Sequence, residues 1–97
     1  MNKREINSIK KVIEHTRNAI NNNGFYMPSD AQTAALKALY AAASYKLGKR
    51  DALRFHRYIM DIDSANRNEV YILFGTSTMM ERQIAAVEKA LNFYLAA

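Results

Sequence analysis

The side chains that could carry out chemistry are few, and they do not assemble into a site. His15 and His56 are the only imidazoles, and neither belongs to a His-x-x-x-His or Glu-x-x-His spacing that would place two ligands on one helical face. Asp61, Asp63 and Glu69 occupy the first, third and ninth places of a calcium-loop template. The rest of that template fails, because Ala65 stands fifth, Asn66 replaces the turn glycine and Ile72 replaces the closing glutamate. Gly75-Thr-Ser-Thr-Met79 shares its first three residues with a nucleophile elbow, but the closing glycine is missing and no strand-rich scaffold surrounds it. The chain has no cysteine, which removes thiolate nucleophiles, disulfides and cysteine-based zinc sites together. No glycine-rich phosphate cradle is present. We expect a protein that is not an enzyme, with no catalytic residue, no metal ligand and no cofactor.

What the residues do offer is charge. The net charge is +5, and Lys46, Lys49, Arg50, Arg54 and Arg57 are opposed within their segment only by Asp51. A patch of this kind attracts phosphate backbones, anionic lipid or an acidic protein surface. The spacings Asp51 to Arg54 and Arg57 to Asp61 also suit ion pairs on one helix, so a simple solvated face is the competing reading. Arg50, Arg54 and Arg57 share a helical face with Phe55 and Tyr58 as nearby aromatics, and Tyr45 clusters near the same basic junction. The residues expected to touch a partner are therefore Tyr45, Lys46, Lys49, Arg50, Arg54, Arg57 and Tyr58. A helix-turn-helix is disfavoured: Ser44 supplies the small residue four before Gly48, but the usual apolar positions six and nine after it hold Arg54 and Arg57.

The elements that must position this patch read as helices. Ninety-seven residues suit one domain, residues 1–97, and abundant alanine with three glycines and one proline favours an all-α bundle of four to five helices. The expected spans are about 2–22, 29–47, 51–62, 64–74 and 77–96. The first carries a seam of Ile6, Ile9, Ile13 and Ile20, with Thr16 filling the missing step. Asn21-Asn-Asn-Gly24 ends it, and Phe25, Tyr26 and Met27 clip the following loop to the core.

The second helix is the central strut. Ser29 and Gln32 form a capping box, Asp30 complements the helix dipole, Leu36, Leu39 and Leu47 give bulk, and Gly48 gives a left-handed stop. In the third, Leu53, Phe55, Tyr58, Ile59, Met60 and Ile62 make no single clean stripe, so part of its apolar surface is expected to face something other than the core. Asp61-Ile-Asp-Ser64 reads as a break, with a short fourth helix through Val70 to Phe74. In the last, Thr78 and Glu81 form a second capping box, and Met80, Ile84, Val87, Leu91 and Tyr94 repeat at 4,3,4,3. Met79, Ala86, Ala90 and Phe93 form a second row. Either the helix lies between two neighbours or one row makes a homodimer surface.

The run Tyr40-Ala-Ala-Ala-Ser-Tyr-Lys-Leu47 resembles the Tyr-Ser-Ala-Ala-Asp-His-Arg-Leu run of the Hha/YmoA family, small helical modulators that bind nucleoid-structuring proteins. The match covers eight residues and departs at the family's Asp, where Ser44 stands, and membership is not inferred from it.

No apolar run reaches membrane-spanning length, and the basic first helix lacks the bulky anchors of an interfacial helix, so no membrane role and a cytoplasmic location are expected. The leading expectation is a small protein-binding modulator or inhibitor of a macromolecular complex, of the kind carried by phages and mobile elements. Its partner would present an acidic or nucleic-acid-binding surface. Nonspecific nucleic-acid binding through the same patch and a structural homo-oligomer built on the last helix are the alternatives.

Overall fold

The protein is described from a computed structural model, which covers residues 1–24, 26–68 and 77–97. It is a small all-α bundle of four α-helices with no strand among the described residues: α1 (Lys3–Asn21), α2 (Asp30–Ala43), α3 (Lys49–Asn68) and α4 (Ser77–Ala96), with a short 3₁₀ turn, Ser44–Lys46, after α2.

Local chemistry sets the helix ends. Asn2 caps α1 by accepting from the Glu5 amide while the Glu5 carboxylate accepts from Asn2 N–H, a reciprocal box that satisfies two orphan donors. Ser29 and Gln32 form the box expected for α2. The same Gln32 Oε1 accepts from the Tyr26 hydroxyl, and the Tyr26 ring stacks on His15 with centroids 5.1 Å apart. The α1–α2 loop is thereby held at both sides, and Tyr26 and Met27 pack against the core; Phe25 lies outside the described residues. Asn23, at φ 52°, takes the left-handed position after α1.

Three expected boundaries differ. Gly48 is not the left-handed terminator of α2: the helix tightens into the 3₁₀ turn, Leu47 is extended, and Gly48 opens α3, its carbonyl accepting from the Ala52 amide at 2.9 Å. The break at Asp61-Ile-Asp-Ser64 does not exist, and α3 runs through it to Asn68. Phe55, Tyr58, Ile59, Ile62 and Ala65 are all buried and keep helical spacing across the polar run. Its carboxylates form tertiary contacts instead of a cap, Asp63 pairing with Lys37 of α2 at 3.0 Å and Asp61 accepting from Gln83 of α4 at 3.4 Å. Thr78 lies inside α4, not at its cap. The Val70–Phe74 part of the expected fourth helix falls outside the described residues.

α2 and α4 each pack against every other helix, while α1 and α3 occupy opposite corners. The link between those corners is a side chain: Tyr58 reaches across the interior, its hydroxyl 3.1 Å from Thr16 Oγ1. The core around it comprises Ile9, Val12 and Ile13 of α1, Leu36 and Leu39 of α2, and Ile84, Val87 and Leu91 of α4. The middle of both apolar rows of α4 is used within one chain, Ala86 and Ala90 being buried along with Ile84 and Val87, while Met79 is exposed.

Candidate docking surface

The site begins at the junction between α2 and α3. Tyr45 projects from the 3₁₀ turn, 76% exposed, with Lys46 Nζ 5.9 Å from its ring centroid. Lys49 and Arg50, both exposed, occupy the first turn of α3 and add their charges to its partially positive end. From there an outward stripe runs along the helix as Arg50, Leu53, Arg57, Met60, Ser64 and Arg67, at spacings of 3, 4, 3, 4 and 3. All are exposed except the half-buried Ser64. Leu53 and Met60 are 63% and 51% exposed, so the apolar residues that broke the expected stripe of this helix face outward, away from the core.

The carboxylates do not neutralise this face. Within α3 they are Asp51, Asp61 and Asp63, and each is turned to a neighbour: Asp63 to Lys37, Asp61 to Gln83, and Asp51 to Arg54 at 3.5 Å and Lys89 at 3.1 Å. The Asp51–Arg54 pair anticipated from spacing forms, whereas Arg57 and Asp61 make no ion pair. Arg50, Arg57, Arg67 and, across the helix boundary, Arg82 have no acidic partner among the described residues.

Beside the stripe lies a groove of about 200 Å³ between α3 and α4, lined by Leu53, Arg54, Arg57, Met79, Arg82 and Gln83. Its apolar lining comes from Leu53 and Met79, the latter 43% exposed. Gln83 is 2% exposed. Its Nε2 must be the atom that donates to Asp61, since a carboxylate can only accept; Oε1 is then a buried acceptor without a partner among the described residues.

Of the seven residues expected to contact a partner, Tyr45, Lys46, Lys49, Arg50 and Arg57 are exposed, Arg50 and Arg57 lying in the outward stripe, and Arg54 is half-buried, drawn toward Asp51. Tyr58 does not belong with them. Its ring is 1% exposed, and burial pushes its hydroxyl pKa up to about 12, the hydrogen bond with Thr16 opposing that rise. Phase decides this: Tyr58 lies on the same face of α3 as Phe55 and Ile62. Sequence reasoning missed Leu53, Met60, Met79 and Arg82, although the 3,4 spacing of Leu53 and Met60 with Arg50, Arg57 and Arg67 was a readable signal.

On the far side of the bundle, Arg17 and Glu88 form a forked ion pair at 2.7 and 3.0 Å. Their hydrogen bonds hold the Glu88 carboxyl below the usual carboxylate range and raise Arg17. Among the described residues no three His, Asp or Glu side chains gather where they could hold a metal ion, and no helix is long and apolar enough to cross a membrane. Comparison of the chain with known protein families, with curated proteins and with solved structures finds no match.

Proposed function

We propose that the chain is a non-enzymatic docking protein that modulates or inhibits a macromolecular complex by placing the outer face of α3 and the adjoining edge of α4 on an acidic protein surface. The observation that carries this reading is the exposure of Leu53 between Arg50, Arg54 and Arg57. Phosphate backbones reward cations and hydrogen-bond donors, whereas exposed apolar side chains set among arginines match a surface that offers both carboxylates and apolar contact. Nucleic-acid binding remains the second reading, supported by Arg50, Arg57 and Arg82, which have no acidic partner among the described residues.

Fluorescence anisotropy with two labelled DNA duplexes of unrelated sequence separates the two. We expect no saturable binding to either duplex at about 0.15 M salt, and nuclease-treated affinity capture from the source cells should retain a protein that the Leu53→Asp and Arg57→Glu variants each lose. Tight binding to both duplexes, falling steeply with salt, abolished by Arg54→Ala with Arg57→Ala and indifferent to Leu53→Asp, overturns the docking reading in favour of nucleic acid.

A further inference from the structure

We infer that the element seated on this face is an acidic amphipathic α-helix of the partner, lying along α3 with its apolar seam on Leu53 and Met60 and its carboxylates on Arg50, Arg57, Arg67 and Arg82. The inference rests on the docking reading above and adds the form of the ligand.

Periodicity excludes an extended ligand. Along α3 the stripe residues recur every three to four positions, about 5.2 Å apart at 1.5 Å per residue. A β-strand presents one face about every 6.7 Å. Over the five intervals from Arg50 to Arg67 the mismatch grows to about 8 Å, more than one full repeat. A second helix matches the repeat throughout, and the stripe, about 26 Å long, accommodates some 18 residues of it. An apolar seam at 3,4 spacing then meets Leu53 and Met60, while flanking Glu or Asp side chains reach the arginines on either side.

Charge opposes a two-fold pairing of this stripe with its own copy. A two-fold pairing of the stripe with itself centres between Arg57 and Met60. It sets Arg50 against the copy's Arg67 and Leu53 against its Ser64, joining like charges and wasting the apolar contact. No carboxylate of α3 is available to relieve this, since Asp51, Asp61 and Asp63 are each engaged within the fold.

The probe is a labelled three-heptad peptide with Leu at both seam positions and Glu at the flanking ones, beside a scrambled peptide of the same composition. Each is titrated against the full chain by anisotropy, with circular dichroism of the mixture. The heptad peptide is expected to bind and gain helix. Binding should weaken about tenfold or more in Leu53→Asp and in Arg57→Glu, variants at exposed positions whose own circular dichroism is unchanged. The scrambled peptide should bind at least tenfold more weakly.

Equal binding of the two peptides, still lost in both variants, overturns the helical ligand while leaving the docking face intact. Failure of both peptides together with tight duplex binding overturns both readings. Failure of the heptad peptide alone, or self-association of the chain that Leu53→Asp abolishes, overturns the helical-partner inference.

Discussion

At the scale of single residues, the most consequential side chain is Tyr58. Because its hydroxyl titrates near 12 in the fold and near 10 when unfolded, the native state holds its proton longer. The associated stability is complete below pH 10 and is lost as pH climbs from 10 to 12, an effect of about 2 to 3 kcal/mol. Urea melts across that window should show this loss in wild type and a shallower one in Tyr58→Phe. At neutral pH the same variant should cost about 1 kcal/mol, through the bond with Thr16. Gln83 offers a converse case. Gln83→Met removes a buried acceptor that lacks a partner among the described residues and gives up one long hydrogen bond, so stability is expected to hold or rise by up to about 1 kcal/mol. Gln83→Glu brings a second carboxylate against Asp61 in a buried place and should destabilise by about 2 kcal/mol or more at pH 7, the loss easing as acid protonates it. Thermal melts of the two variants distinguish these outcomes.

At the scale of elements, what could be read from sequence was what local chemistry dictates. Ser29 and Gln32 announced α2 because a capping box needs only the chain around it, and the seam through Ile84, Val87 and Leu91 announced α4 because a single period dominates it. α3 was misread at Asp61-Ile-Asp-Ser64 because these residue types also make caps; only packing reveals that Asp61 and Asp63 are spent on α4 and α2, and small Ala65 concealed the continuing core face. The inward turn of Tyr58 had the same cause, since Leu53 and Met60 blurred the phase of the helix. Gln32 is expected to matter more than its cap. Ser29→Ala should lower stability by about 1 kcal/mol, and Gln32→Ala by more, since it also releases Tyr26 and with it the α1–α2 loop. Chemical denaturation of the pair, with Tyr26→Phe as a third variant, checks the order.

At the scale of the whole molecule, the cations behind the +5 charge divide between those in inter-helix ion pairs and those on the candidate docking face. Lys37, Arg17 and Lys89 stitch helices together, while Arg50, Arg57, Arg67 and Arg82 are left outward. Of the α4 rows that suggested a homodimer, Ile84, Val87, Leu91, Ala86 and Ala90 are buried against the other helices, while Met79 remains 43% exposed. Static light scattering is therefore expected to give the mass of one 11.1 kDa chain at every concentration, and a mass that doubles on concentration would contradict it.

The two thioethers beside the candidate docking face, Met60 and Met79, are 51% and 43% exposed, whereas Met27 and Met80 are half-buried against the core. Mild peroxide should therefore reach the first pair sooner and turn them into sulfoxides, replacing an apolar contact with a polar, sterically altered one. The helices should keep their melting temperature while the grip on an acidic partner falls, and reductase treatment should restore it. Peptide mapping of the oxidised chain beside the binding assay would check this, and a surface built on exposed sulfur thereby carries its own sensitivity to oxidant stress.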